Sequence, residues 1–259
     1  GLPWVAEFRD PWSDVAPAGD PRRAADAALE RAIVTEATGV VTVSDAWAEL
    51  LRGKGAPRVN VLTNGYDPAD FPPPSPADGL VVTYLGSYYS DRQDLSALWP
   101  ALRRIRDARS DRRFRLLFVG DLSPALRKEI AAHGLEESLE VTGFLPYRDA
   151  LARTAGSSVL IAAGARDERP ALKGLIPAKV FEYLGSGLPI LYVGDPGSDA
   201  AELLARQPGV HVVRPGDAAG AERALTAALA APRAERDLEE FTRRSLAARL
   251  ANILEDARR

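Results

Sequence analysis

Short β-rich apolar runs alternate with amphipathic stretches along almost the whole chain. Alternation of this kind builds repeated βαβ units around parallel sheets, so the fold class is α/β. Strands are expected at 3–8, 40–43, 59–62, 80–85, 114–119, 139–142, 158–162, 189–193 and 210–213. Most of these runs are continuous rather than alternating, as strands covered on both faces are. Helices are expected at 20–37, 44–53, 93–108, 123–133, 147–155, 178–186, 198–206 and 217–231, with Ser44 and Ser198 at N-cap positions.

The alternation breaks once, at the proline-rich segment 67–78, whose prolines cannot donate to a sheet ladder and disfavour helix before them. This segment reads as an interdomain linker. The stretch 78–231 is long enough for a doubly wound domain, whereas 1–66 carries only three strands and two helices and reads as the tail of a second one. From 233 to 259, Leu238, Phe241, Leu246, Leu250 and Ile253 recur at helical spacing, which predicts one long helix that needs a surface to pack on. The chain has no methionine and opens inside an apolar stretch, Gly1-Leu-Pro-Trp-Val5. A fragment lacking most of its N-terminal domain is therefore expected.

Composition excludes several kinds of chemistry. Hydrophobic residues make up 46% and charged residues 27%, which suits a globular core. A net charge of −3 offers no long-range attraction to nucleic acid, so a bound phosphate must be met by a local cluster of cations. No cysteine is present and only two histidines are, which removes disulfides, thiolate zinc sites and cysteine nucleophiles. No apolar run approaches the roughly 18 residues of a membrane span and no secretory signal opens the chain, so a soluble cytoplasmic protein is expected.

Two segments could carry chemistry. In Tyr84-Leu-Gly-Ser-Tyr-Tyr-Ser-Asp-Arg92 a strand ends in a glycine turn followed by an arginine, and ligands of open parallel sheets bind outside the carboxyl ends of strands. Gly86 and Arg92 are phosphate-site candidates, although an ordinary βα turn with a solvated arginine explains the same residues. A G-x-G-x-x-G fingerprint and a Walker loop are both absent, so no dinucleotide cofactor is expected. In the segment from Gly174 to Ile190, Lys179 falls in a first helical turn, where a cation is unfavourable unless an anion is present. Glu182 shares its face and could accept hydrogen bonds from ligand hydroxyls; a solvated Lys–Glu pair is the equal alternative.

The run Pro177-Ala-Lys-Val-Phe-Glu-Tyr-Leu-Gly-Ser-Gly-Leu-Pro-Ile190, with Asn64-Gly-Tyr-Asp67, Tyr84-Leu-Gly86 and Phe8-Arg-Asp-Pro-Trp12, resembles the nucleotide-sugar glycosyltransferases of family 4 with the GT-B fold. The resemblance covers the whole chain, in the order found in the latter part of such an enzyme. It implies two Rossmann-like domains facing each other across a cleft, the second holding the nucleotide-sugar, and a final helix, 233–259, packing back on the first domain. It further implies that Gly86 lies by the donor diphosphate, that Arg92 and Lys179 neutralise it as catalytic residues, and that Glu182 holds the ribose. Phe144, in Gly143-Phe-Leu145 after a strand, is the candidate for meeting the base; a core phenylalanine is equally compatible. The chain departs from the family's Glu-x7-Glu motif, because Gly174 stands where the first glutamate would be.

With no Asp-x-Asp present, no metal is expected, and cations and amides would stabilise the departing nucleoside diphosphate. What the resemblance implies is a retaining transfer from a nucleotide-sugar, a UDP-sugar by preference, to a glycan, lipid-linked or small-molecule acceptor. Lipid-linked substrates would bring peripheral contact with the inner membrane face. An epimerase of the same fold and a non-catalytic binding module are the alternatives. Arg9 and Asp10, at a strand end facing the cleft, are acceptor-side candidates, with a structural Arg–Asp pair the competing explanation. His133, His211, the loop Arg166-Asp-Glu-Arg169 and the scattered Trp4, Trp12, Trp47 and Trp99 read as structural or solvated.

Overall fold

The computed structural model describes residues 2–17, 19–109, 111–166 and 169–259. The chain forms two parallel sheets. In the first, β1 (Val5–Phe8), β2 (Gly39–Thr42) and β3 (Val59–Val61) lie in that order, with Val5 opposite Gly39 and Val40 opposite Val59. Around them run α1 (Trp12–Val15), α2 (Arg23–Glu36) and α3 (Asp45–Gly53). On α3, Trp47, Ala48 and Leu51 fall on one face and are buried, as an amphipathic helix seated on a sheet requires. The short helix α1 was not legible in the sequence. It is held by Phe8, whose ring stacks on Trp12 at 5.1 Å, and by Lys54, which reaches both Asp14 and the fully buried Glu30.

The second sheet comprises β4 (Leu80–Leu85), β5 (Phe114–Val119), β6 (Leu139–Val141), β7 (Val159–Ala163), β8 (Ile190–Val193) and β9 (Val210–Val213), in the order β6-β5-β4-β7-β8-β9. All five pairings are parallel. The crossovers are α4 (Leu98–Ala108), α5 (Pro124–Ala132), α6 (Tyr147–Thr154), α7 (Lys179–Gly185) and α8 (Asp199–Ala205), and α9 (Ala218–Ala230) follows β9. One core, with Trp99, Leu102 and Phe118, fills one face of this sheet; another, with Phe181, Tyr183 and Leu204, fills the other. The direction of strand addition reverses between β4 and β7, which opens a crevice at their carboxyl ends.

The final segment differs from the single long helix expected over 233–259. Residues 231–238 are not helical. Arg236 donates to the carbonyls of Leu184, Leu188 and Pro208, and Arg233 to that of Ser186, so these guanidiniums bind an extended strap to the second unit. Leu238 and Phe241 bury there too, around a single 3₁₀ turn. Only then does α10 (Arg243–Ala257) begin, capped by the Thr242 hydroxyl, which accepts from Ser245 N–H at 3.2 Å. It returns to the first sheet, where Leu246 packs with Val41 and Leu62.

Ser44 stands at the N-cap of α3, as expected, but does not cap it through its side chain. The Asp199 carboxylate of α8 takes that place, accepting from Ala46 N–H at 2.8 Å. Ser198 does cap its own helix, accepting from Ala201 N–H at 3.2 Å. A third tie between the units runs from Trp47 Nε1 to Ala171 O at 2.6 Å.

Candidate functional site

A cavity of ≈ 310 Å³ opens at the carboxyl end of β4, and it gathers Gly86, Phe144, Tyr147, Lys179 and Glu182. Four of these were singled out from sequence, and the fold brings them together. Gly86 adopts φ +85°, a conformation that side chains rarely take. A Cβ there would stand 3.4 Å from Lys179 Nζ, in van der Waals contact with the ammonium.

Lys179 is held by an aromatic face. Its Nζ sits 4.1 Å from the centroid of the Tyr84 ring and 3.5 Å from Ser87 O. Tyr84 is itself fixed, its hydroxyl donating to Ser87 O at 3.1 Å. Burial pushes the ammonium pKa down to about 8, against the opposing pull of Glu182. A cation so placed is under-compensated and suited to an incoming anion.

Glu182 is buried, and its Oε2 has no hydrogen-bond partner. Burial raises its pKa; its own backbone N–H, the charge of Arg243, the Tyr147 hydroxyl and Lys179 oppose that shift. The next residue, Tyr183, explains why helix α7 presents both groups so firmly. Its buried hydroxyl accepts from Leu85 N–H at 2.8 Å and donates to Ile161 O at 3.0 Å, pinning the helix to β4 and β7 at once. Sequence reasoning missed Tyr183 and Tyr147, since a tyrosine in an apolar run gives no signal of where its hydroxyl ends. Phe144 follows β6 on a loop turned by Gly143 at φ +69° and is 84% exposed, so it is not a core phenylalanine.

Arg92 lies elsewhere. It lines a separate cavity of ≈ 370 Å³ between the two units, together with Asp10, Val15, Arg169 and Leu172. Its guanidinium pairs with Asp91 at 3.4 Å, both side chains being exposed. The intervening loop is folded by Gln93, whose Oε1 accepts from Tyr89 N–H at 3.0 Å and whose amide donates to Ala163 O at 3.0 Å. Arg92 and Lys179, expected on one diphosphate, thus line different cavities. Asp10 faces the same interdomain cavity, its pKa raised by burial despite Arg9. Arg9 pairs with Glu7 at 3.0 Å rather than with Asp10.

Gly174, at the position of the missing glutamate, is buried against the other unit. A Cβ would meet Trp47 Cδ1 at 2.4 Å and Ser44 Oγ at 2.6 Å. His133 ends α5 and His211 sits on β9, its pKa lowered by burial; neither lines these two cavities. Asp167 and Glu168, in the loop read as solvated, lie outside the described residues. Among the described residues no group of three or more acidic or imidazole side chains could hold a metal ion, and no helix is long and apolar enough to cross a membrane.

Residues 79–231 match the family model for glycosyl transferases group 1, and residues 1–65 that for the glycosyl transferase 4-like domain. The chain belongs to the group 1 glycosyltransferases. The chain is 25% identical over 157 residues to WcaL of Escherichia coli (strain K12), a glycosyltransferase assigned to colanic acid biosynthesis; the match takes in 59% of the chain and 38% of that protein. Its fold is similar to that of sucrose-phosphate synthase from Thermosynechococcus elongatus, with TM-score 0.72 at 16% identity over 98% of this chain and 67% of the other. A variant of S. aureus TarM, solved with fondaparinux, α-GlcNAc-glycerol and UDP, gives TM-score 0.68 at 10% identity over 96% of this chain and 50% of that one. A UDP-forming α,α-trehalose-phosphate synthase from Burkholderia xenovorans gives 0.64 at 17% identity, over 99% and 68% of the two chains. The chain thus has the α/β fold of GT-B glycosyltransferases.

Proposed function

We propose that this chain carries the donor site of a retaining, metal-independent glycosyltransferase, which takes a hexosyl group from a UDP-sugar and passes it to a glycan, lipid-linked or small-molecule acceptor. The observation that carries the proposal is the meeting of Lys179, Gly86 and Glu182 in one cavity beside the exposed Phe144 ring. In this reading the base stacks on Phe144, the ribose hydroxyls donate to Glu182, and the diphosphate lies over Gly86 against Lys179. Negative charge grows on the departing diphosphate as the glycosidic bond breaks, and an under-compensated ammonium stabilises that charge more than it does the ground state. UDP in one structural neighbour and UDP-forming chemistry in another support the choice of nucleotide.

Asp10 and Arg92, which line the interdomain cavity, belong to the acceptor side of this scheme, with Arg9 beside Asp10 in the chain. The sequence spans 38% of its curated relative, and the 259-residue chain alone is expected to turn over poorly. Binding is therefore the first test. Isothermal titration with UDP should show binding that Lys179→Ala weakens at least tenfold and Arg92→Ala less than twofold. No heat at millimolar UDP would count against the proposal.

A further inference from the structure

The last helix reaches the donor cavity from a third direction. Arg243, its first residue, holds its guanidinium carbon 5.8 Å from the centroid of the Tyr147 ring, within the range of cation–π attraction. Its main chain is fixed, because Arg243 N–H donates to Tyr66 O at 2.9 Å and Tyr66 N–H to Phe241 O at 3.1 Å. Tyr147 opens α6 and lines the cavity alongside Glu182. Glu182 is 9% exposed, and its Oε2 is closed off from solvent without a donor, which leaves the carboxylate short of hydrogen bonds. The side chains that act on its charge are Arg243 from α10, Tyr147 from α6 and Lys179 from its own helix. The guanidinium of Arg243 and the hydroxyl of Tyr147 both favour its ionised form.

We propose that Arg243 and Tyr147 are positioning residues for the nucleoside: Arg243 steadies the Tyr147 ring, and the Tyr147 hydroxyl orients Glu182 so that its carboxylate accepts from the vicinal hydroxyls of a ribose in the cavity that both residues line. This rests on the donor reading above and extends it to specificity. An ionised carboxylate can accept from both hydroxyls of a diol, and a site built to bond a hydroxyl rejects the analogue that lacks it. Discrimination between ribose and deoxyribose thus depends on a residue of the helix that crosses back to the first unit. Because Arg243 is tied to Tyr66, the nucleoside pocket and the joint between the units share one anchor.

The test is calorimetric titration of the 259-residue chain with UDP and with 2′,3′-dideoxyuridine diphosphate. The unaltered protein should prefer UDP by about tenfold or more. Arg243→Gln and Tyr147→Phe should each cut that preference to about two- or threefold, by weakening UDP while leaving the dideoxy analogue unchanged, and Arg243→Lys should restore part of it. On acidification Arg243→Gln should lose its preference at a higher pH than the unaltered protein, because Glu182 without the guanidinium takes up its proton sooner. Melting curves check folding, and Tyr147→Phe decides the matter should Arg243→Gln not fold. An unchanged preference in the variants, or equal loss for both nucleotides, overturns the positioning role while leaving the donor site standing. An unaltered protein that binds neither nucleotide overturns both.

Discussion

A Cβ on Gly174 would lie 2.4 Å from Trp47 Cδ1, so the space that a motif glutamate would need in the second unit is filled by an indole of the first. The same indole donates from Nε1 to Ala171 O at 2.6 Å. The glycine and the tryptophan are two halves of one contact, and the missing carboxylate follows from how the units meet. Gly174→Ala should destabilise by about 1–3 kcal/mol, the usual cost of overpacking. At about 2–4 °C per kcal/mol for a chain of this size, melting curves should show a fall of several degrees. Adding Trp47→Ala should cost less in that background than alone, a coupling that a double-mutant cycle reads directly. Additive losses would separate the two residues.

Asp199 supplies an N-cap across the joint, its Oδ2 accepting from Ala46 N–H at 2.8 Å. Removing a capping side chain costs about 1 kcal/mol. Asp199→Ala should therefore speed hydrogen exchange in the first turn of α3 while leaving the amides of β4 unaffected. Unaltered exchange at Ala46 and Trp47 would show that the cap is not used in solution.

Lys179 couples binding to pH. Its folded-state pKa, about 8, lies below the 10.5 of the free side chain, so between those values the unfolded chain holds the extra proton. The cost of burying this ammonium is thus felt in full below pH 8 and is relieved as pH rises from 8 towards 10.5. Lys179→Met should melt at the same or a higher temperature at neutral pH even though it binds UDP less well. Across pH 8 UDP affinity should fall, and titrations in buffers of different ionisation enthalpy should reveal proton uptake on binding. A flat pH dependence would mean that the ammonium does not meet the anion.

Phe144 is 84% exposed, so truncating it should barely alter the melt. Stacking of a base on an aromatic ring is worth about 1–3 kcal/mol. Phe144→Ala should then weaken UDP by about five- to a hundredfold while leaving inorganic diphosphate as weak as before. Equal effects on both ligands would remove the base from this ring.

Much of the fold was legible because it is local. The continuous apolar runs of β4, β5 and β9 end where the sequence places them, and the three-residue spacing of Lys179 and Glu182 does set both into one cavity. What escaped is long-range. The apolar spacing from Leu238 to Ile253 looks like one helix, yet Leu238 and Phe241 belong to one core and Leu246 to another, with Arg233 and Arg236 binding the strap between. Periodicity reports that residues share a face but not that the chain has stopped turning. The resemblance alone sets Arg92 beside Lys179 on one diphosphate, whereas Gln93 folds the loop so that Arg92 lines the interdomain cavity. The cap from Asp199 and the pinning of α7 by Tyr183 join distant segments through single polar atoms, which leave no periodic trace.

The placement of a diphosphate against Lys179 is tested most directly by comparing UDP with UMP, in the unaltered protein and in Lys179→Met. A β-phosphate that meets the ammonium should give UDP at least a tenfold advantage, or about 1.4 kcal/mol, and the methionine variant should lose nearly all of it. An advantage of the same size in both proteins would place the diphosphate somewhere else.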